Sequence, residues 1–306
     1  MADRLLNKLR NFVIDPLLAS LTRGEASLAR IEHSARAAHL AILAASERDA
    51  DPRCLTRHGY RSTSQNDEDG IIEEIFRRIG TTNRRFVEFG VETGVENNTL
   101  ALLLAGWRGL WIEGDPAAQR EIRKGFGDAL SDGLLDLKGS MVTAENIEAL
   151  LEHAHVPEEP DLLSIDIDGN DYWVWKAIRR FRPRVVVIEY NATLGRTARS
   201  VLPYDPAARW DGTIRFGASL SALEDLGREK GYGLVGCGLT GVNAFFVRED
   251  CLGDRLFLEP FTAEQHFEPP RFGATGAGHP ARWVRFEHPE APHPVRERAP
   301  RSASTK

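Results

Sequence analysis

The chain has 306 residues, of which 42% are hydrophobic and 27% charged, a composition typical of a soluble globular protein. Its net charge of -6 and its scattered arginines argue against nucleic acid as a partner, because phosphate binding requires a concentrated basic face. The cysteines, Cys54, Cys237 and Cys251, lie far apart and form no metal-type pair or disulfide framework, which favours the reducing cytoplasm. No apolar run approaches the roughly 20 residues that span a membrane, and the first residues do not resemble a secretory signal.

The two ends of the chain differ from its middle. Residues 1–55 are predicted to form a helical arm, because leucines recur at helical spacing from Leu5 to Leu21 and a weaker stripe runs from Leu28 to Ile42. The arm either packs on the main domain or mediates homo-oligomerisation or partner docking. Residues 263–306 are predicted to be a C-terminal extension, disordered over Ala291–Lys306, where Pro, His and Arg predominate.

Residues 56–262 alternate predicted helices with short apolar runs. The predicted helices are Asp67–Ile79, Asn98–Ala105, Ala144–His153, Tyr172–Arg180 and Leu220–Lys230. The predicted strands are Arg85–Phe89, Leu110–Glu113, Leu134–Lys138, Leu162–Ile167, Val185–Glu189, Leu234–Cys237 and Asn243–Val247. Alternation of this kind predicts a parallel sheet covered on both faces, and the tight Gly-rich turn between the last two strands makes them antiparallel. The predicted fold is therefore α/β, a doubly wound, mostly parallel sheet of seven strands.

A glycine-containing turn follows the first predicted strand. Glu88, Gly90 and Gly94 form the pattern E-x-G-x-x-x-G where the strand leads into a helix. Glycines there allow a ligand to approach the backbone closely, although such a pair also occurs in turns that bind nothing. Glu113, at the end of the next strand, is placed to accept hydrogen bonds from a ribose diol. Glu92 replaces the middle glycine of a dinucleotide fingerprint and would repel a pyrophosphate, which favours S-adenosylmethionine over NAD.

Six segments of the chain carry a family resemblance: SQNDEDGIIEEIF (Ser64–Phe76), RFVEFGVETGVENNTLAL (Arg85–Leu102), GWRGLWIEGDP (Gly106–Pro116), LLSIDIDGNDYWVW (Leu162–Trp175), VVVIEYN (Val185–Asn191) and GYGLVGCGLTGVNAFFVR (Gly231–Arg248). Together they resemble the FkbM-type methyltransferases, which are often found in polysaccharide and natural-product biosynthesis. The resemblance extends over about residues 60–250 and implies the Rossmann-like class I methyltransferase fold, with S-adenosylmethionine as cofactor. It does not account for the N-terminal arm or the loop Thr193–Gly217.

The same resemblance implies roles for individual residues. Glu88, Gly90 and Gly94 would surround the amino-acid part of the cofactor, and Glu113 would hold its ribose. Ser140, within Gly139–Met141, would border the adenine. Gln65 would close over the methionine end, although the segment Ser64–Asp69 also fits a simple helix cap at Asp67.

Acidic residues follow the fourth and fifth predicted strands. Asp166, Glu189 and Asn191 resemble the layout of methyltransferases that hold a hard divalent cation such as magnesium. Asp168 is then a further ligand or the general base, and Asp166 and Asp168 are the catalytic candidates. In the metal-free alternative, Asp166 binds the cofactor amine, Asp168 and Asp171 cap the next helix, and Glu189 pairs with Arg196.

The loop Asn191–Gly217 is the candidate substrate-binding segment. Arg196, Tyr204 and Trp210 suit a glycan through stacking and charged hydrogen bonds, although Trp210 also fits a lid that packs on the core. The leading hypothesis is O-methylation of a sugar hydroxyl in a polysaccharide or glycosylated natural product. The alternatives are an N-methyltransferase or small-molecule methyltransferase, and a non-catalytic scaffold of the same fold.

Overall fold

The computed structural model describes residues 50–167 and 169–271. The strands are β1 Arg85–Phe89, β2 Arg108–Glu113, β3 Leu135–Gly139, β4 Leu162–Ile165, β5 Val185–Glu189, β6 Tyr232–Cys237 and β7 Asn243–Arg248. The α-helices are α1 Glu68–Ile79, α2 Leu100–Leu104, α3 Pro116–Gly125, α4 Gly127–Ser131, α5 Ile147–His153, α6 Asp171–Ala177, α7 Leu220–Glu229 and α8 Ala263–His266. Short 3₁₀ helices span Thr56–His58, Ala192–Leu194 and Glu249–Cys251.

The strands form one seven-stranded sheet in the order β3-β2-β1-β4-β5-β7-β6. β7 runs antiparallel to both β5 and β6, whereas the other pairs are parallel. This confirms the predicted doubly wound, mostly parallel sheet with a terminal antiparallel hairpin. Because the chain leaves β1 toward β2 on one side and later returns to β4 on the other, a crevice opens at the carboxyl ends of β1 and β4, where α/β proteins bind ligands.

Side chains that alternate along the strands form a hydrophobic core on each face of the sheet. Val87 and Phe89 point into one core, which α5, α6 and α7 cover with Ile147, Leu151, Val174, Trp175, Leu220 and Leu223. Phe86 points into the other, which α1, α2 and α3 cover with Ile71, Ile75, Leu100, Leu103 and Ile122. Burying one such side chain contributes about 1.5–3 kcal/mol, so the two cores hold the sheet edge that carries the site in a fixed register.

The structure differs from the sequence-based prediction mainly between β2 and β3. That segment contains α3 and α4, which the hydrophobic pattern did not indicate. Asp115 begins α3, because its carboxylate accepts hydrogen bonds from Ala117 N (3.0 Å) and Ala118 N (3.2 Å), and Pro116 occupies the first helical position. This Asp-Pro pair was the available signal for the helix.

Two predicted elements end earlier than expected. α6 stops at Ala177 instead of Arg180, because the Arg179 and Arg180 backbone N–H groups donate to Glu148 Oε1, at 2.6 and 2.7 Å. β4 stops at Ile165 instead of Ile167, because the Ile167 N–H turns to the Asp171 carboxylate at 2.9 Å. In both places a side chain outside the element takes the backbone donor that would have continued it.

The predicted arm lies outside the described residues except for residues 50–55, and so does Ala291–Lys306. Leu55 is buried in the core covered by α1. Residues 263–271, assigned from sequence to the extension, pack on the domain: Tyr190 Oη donates to the Glu268 carbonyl, and Arg271 N to the Thr240 carbonyl, both at 2.8 Å. None of the described helices is long and apolar enough to cross a bilayer.

Candidate active site

A cavity of about 240 Å³ opens at the carboxyl edge of the sheet. Most of the sequence-predicted site residues line it, namely Gln65, Glu88, Gly90, Glu113, Ser140, Asp166, Glu189 and Trp210. They come from the segment before α1, from the ends of β1, β2, β3, β4 and β5, and from the loop after β5. The parallel register of the sheet therefore brings together residues that are up to 145 positions apart in the chain, from Gln65 to Trp210.

Gly90 permits the closest backbone approach in the site. Its φ is +77°, and a Cβ added there would lie 1.5 Å from the Asp166 carbonyl oxygen. No side chain fits such a position, so the turn after β1 contacts the end of β4 directly. Gly94 also has a positive φ, +82°, but an added Cβ would meet Trp111 at 2.8 Å and Phe126 at 2.9 Å. Gly94 does not line the cavity and instead permits tight packing behind the turn.

Glu88 is 3% exposed and holds the segment between β1 and α2. Its carboxylate accepts hydrogen bonds from Asn98 N (2.9 Å), Ser164 Oγ (3.1 Å) and Thr99 Oγ1 (2.5 Å). Burial raises its pKa to about 7, although these hydrogen bonds oppose the shift. Glu88 therefore lines the cavity and also holds the neighbouring segment, which forms another part of the cavity wall, in place.

Glu113 connects the turns that follow β1 and β2. Its Oε2 accepts from Glu92 N at 2.8 Å and its Oε1 from Asp115 N at 2.7 Å. Glu92 is one of four non-glycine residues with positive φ in the described chain, at +48°. Burial raises the pKa of Glu113, with the backbone hydrogen bonds opposing. The carboxylate is thereby held rigidly where β2 ends, beside the cavity.

The segment before α1 differs from the simple helix cap. Asp67 makes no side-chain cap on α1; its Oδ2 accepts from Leu239 N at 2.8 Å. Glu68 is fully buried and accepts from Asn66 N (2.8 Å) and from Asn243 Nδ2 (3.0 Å). These contacts tie the segment to β7, so that Gln65, Asn66 and Asn243 form one carboxamide wall of the cavity.

An acidic cluster lies where β4 and β5 end. Asp166, Asp171 and Glu189 each offer a carboxylate oxygen within 4.8 Å of the others. Asp171 is buried, and its oxygens accept from Ile167 N and Gly169 N, both at 2.9 Å. The third member of the cluster is therefore Asp171, which the sequence-based prediction had assigned to a helix cap in the metal-free alternative. Asp168, predicted as the general base, lies outside the described residues.

Asn191 does not take part in the cluster. Its Nδ2 donates to the carbonyls of Ile214 (2.7 Å) and Phe216 (2.9 Å), and its Oδ1 accepts from Thr193 N (3.1 Å) and Thr193 Oγ1 (2.5 Å). Its amide is engaged in holding the two ends of the loop together, and it does not line the cavity. The arrangement therefore does not favour Asn191 as the metal ligand predicted from sequence, because its oxygen already serves the loop.

The three predicted substrate residues lie in different places. Trp210 lines the cavity, and its Nε1 donates to the Thr213 carbonyl at 2.7 Å. Tyr204 lies outside the cavity, where its hydroxyl donates to Glu145 Oε2 at 2.5 Å. The Arg196 guanidinium lies 5.7 Å from the centre of the Phe267 ring and also outside the lining. Tyr204 and Arg196 therefore fasten the loop to the domain, whereas Trp210 faces the ligand space.

Sequence reasoning missed several lining residues. They are Asn66, Glu96, Asn97, Asn98, Ile112, Gly114, Val142, Ile167, Ala208, Phe216, Val242 and Asn243. The sequence did offer a signal for Asn243. This residue begins the last strand, which is antiparallel to β5, so it pairs with Glu189 at the end of β5. Ala208 and Phe216 belong to the candidate loop Asn191–Gly217, but nothing in the local pattern distinguishes them from their neighbours.

Part of the sequence that forms this site matches a known protein family. Residues 136–232 match the family model described as the methyltransferase FkbM domain. Over these residues the chain is similar to that domain, as the sequence motifs had indicated. The match covers β3 to the start of β6, including the acidic cluster and the loop that bears Trp210. It confirms the predicted enzyme class, an S-adenosylmethionine-dependent methyltransferase. The comparison with curated protein sequences gives no match.

The solved structures with a similar fold include several methyltransferases. The N-terminal domain of EvdMO1 with SAH bound has 15% identity and a TM-score of 0.40, over 64% of this chain and 90% of that chain. The O-methyltransferase from Bacillus cereus in complex with SAH has 17% identity and a TM-score of 0.36, over 70% and 88%. The magnesium protoporphyrin IX methyltransferase from Synechocystis PCC 6803 with bound SAM has 10% and 0.38, over 59% and 77%. At these identities the likeness concerns the fold alone.

Proposed function

We propose that this FkbM-type domain methylates a hydroxyl group of a sugar, in a polysaccharide or a glycosylated natural product. The proposal rests on one observation: a single cavity is lined by Gly90 and Glu113 and also by Asp166, Glu189 and Trp210. A cofactor-sized ligand held at the first two residues would direct its far end toward the acidic cluster. The loop residue Trp210 lines the same cavity, where an aromatic ring suits the apolar face of a sugar.

The residues of the chain divide the work of the reaction. When bound, S-adenosylmethionine supplies a methyl group activated by a positively charged sulfur. Gly90 leaves room for the cofactor against the backbone, and the Glu113 carboxylate accepts hydrogen bonds from the ribose diol. Ser140 borders the adenine, and Gln65 covers the methionine end. Holding both reactants in line supplies much of the acceleration in a displacement of this kind.

Proton removal falls to the acidic cluster. A sugar hydroxyl is a weak nucleophile until its proton is lost. Asp166 and Glu189 line the cavity at the end where the acceptor would bind, so either carboxylate can take that proton. Asp168 remains a further candidate base from the sequence. A magnesium ion at the cluster, if bound there, would lower the pKa of the hydroxyl instead.

Titration with the cofactor tests the proposed binding mode. We expect calorimetry to show binding of S-adenosylmethionine and none of NAD. Glu113→Gln should bind the cofactor about tenfold more weakly, because one acceptor for the ribose diol is replaced by a donor. The matched control is Glu121→Gln on the exposed surface of α3, which should bind as the wild type does. Absence of S-adenosylmethionine binding by the wild-type protein would refute the proposed function.

A separate titration tests the metal. Asp166, Asp171 and Glu189 present hard oxygen donors of the kind that magnesium and manganese prefer. If a cation binds there, manganese followed by electron paramagnetic resonance should saturate a single site in the wild-type protein. Glu189→Gln should weaken that site at least about tenfold, and the exposed variant Glu249→Gln should leave it unchanged. A wild-type protein without a saturable site would exclude metal assistance and leave a carboxylate as the base.

A further inference from the structure

The cavity wall is strongly acidic. Six carboxylate side chains line it, those of Glu88, Glu92, Glu96, Glu113, Asp166 and Glu189. Among the residues that the structure describes, Arg209 is the single cationic side chain in the lining. The cofactor carries one net positive charge, from its sulfonium, its ammonium and its carboxylate, so the site keeps a negative field after the cofactor binds.

Arg209 hydrogen-bonds to the backbone of its own loop. Its Nη1 donates to the carbonyls of Ala208, at 2.7 Å, and Ala207, at 3.3 Å, so the guanidinium is drawn onto its own loop. Arg61 donates to the lining residue Glu96 at 2.7 Å and does not itself line the cavity. At the proposed acceptor end, Asp166 and Glu189 hold carboxylate oxygens within 4.8 Å of each other.

The remaining lining at this end is uncharged. It combines carboxamides with apolar side chains, namely Gln65, Asn66, Asn243, Trp210, Phe216 and Val242. Asn243 is fixed in one orientation, because its Nδ2 donates to the buried Glu68 carboxylate, which offers acceptors. Carboxamides and apolar faces match the alternating hydroxyl and C–H surfaces of a sugar ring.

We infer that the acceptor is an uncharged sugar ring, without a carboxylate, phosphate or sulfate beside the reacting hydroxyl. The inference rests on the proposed function and narrows its substrate class. An anionic group near Asp166 and Glu189 meets like charges at short range in a partly desolvated site, where repulsion is stronger than in water. The site thus discriminates in two ways: it repels a sugar that bears an anionic group, and it forms contacts with a neutral sugar.

Ligand-observed NMR tests this selection. The protein is saturated with S-adenosylhomocysteine in metal-free buffer, and saturation-transfer signals are titrated for the methyl glycosides of glucose, galactose and mannose and for the matching uronates. At least one neutral glycoside should bind, and at least about tenfold more tightly than its uronate. Equal or tighter binding of a uronate overturns the inference, and so does a panel in which no neutral glycoside binds.

A charge placed on the loop gives a second, independent test. Ala208 lines the cavity and is exposed, whereas its exposed neighbour Ala207 does not line it. Ala208→Lys should raise the affinity for a uronate relative to its neutral glycoside about tenfold, and Ala207→Lys should leave this ratio unchanged. An equal response of both variants, or no response to Ala208→Lys, contradicts the inference. Calorimetry with S-adenosylhomocysteine on the same samples separates this failure from failure of the proposed function, since cofactor binding would persist.

Discussion

Gly90→Ala is expected to weaken S-adenosylmethionine binding severely. The added methyl group would lie 1.5 Å from the Asp166 carbonyl oxygen, and the backbone at this position has a φ of +77°. To relieve this clash, the turn after β1 must move away from the end of β4. That movement displaces Asp166 and widens the cavity between the two strand ends. We expect a loss of affinity of at least about 100-fold in calorimetry, since a shift of about 1 Å removes several contacts at once.

Gly106→Ala is the matched control for the backbone strain. Gly106 has a φ of +82°, and an added Cβ would meet no heavy atom within 4 Å. This variant should lose only the roughly 1–2 kcal/mol of left-handed strain in urea unfolding and should bind the cofactor like the wild type. Cofactor affinity of Gly90→Ala within about threefold of the control would show that the close contact of the two turns does not shape the site.

The sheet was predictable because its strands are short, buried and rich in branched apolar residues. β1 and β5 have the predicted limits, Arg85–Phe89 and Val185–Glu189. Residues at the carboxyl ends of such strands follow from topology, which is why Glu88, Gly90, Glu113, Asp166 and Glu189 were open to prediction from the sequence. Once the strand order is known, the parallel register sets them at one edge.

The loop residues were not predictable in the same way, because their partners are remote in the chain. Tyr204 contacts Glu145, 59 positions away, and Asn191 binds the carbonyls of Ile214 and Phe216, 23 and 25 positions away. An aromatic or amide side chain in a long loop fits a ligand contact and a structural tie equally well. Which role it takes depends on how the loop folds back, and no local periodicity encodes that path.

Glu88 should make the stability of the protein depend on pH in an unusual direction. Burial raises its pKa from the ordinary 4.5 to about 7 in the folded state. Between these two values the folded protein retains a proton that the unfolded chain has released, so the free energy of unfolding falls as pH rises. The contribution is about 3 kcal/mol and is fully lost above the folded pKa. Asp67, whose pKa burial and the neighbouring Glu68 raise to about 7, adds to the same trend.

Glu88→Gln isolates this contribution. Glutamine has the shape of protonated glutamate, and its amide can donate to Thr99 Oγ1 while its oxygen accepts from Asn98 N. In urea unfolding the variant should match the wild type near about pH 5 and exceed it by up to about 3 kcal/mol near about pH 8. Gly106→Ala, which keeps both carboxyl groups, should show the wild-type slope with a uniform offset. If Glu88→Gln keeps the full slope, the carboxyl is already ionised at neutral pH, and its hydrogen bonds from Asn98, Thr99 and Ser164 outweigh the cost of burial.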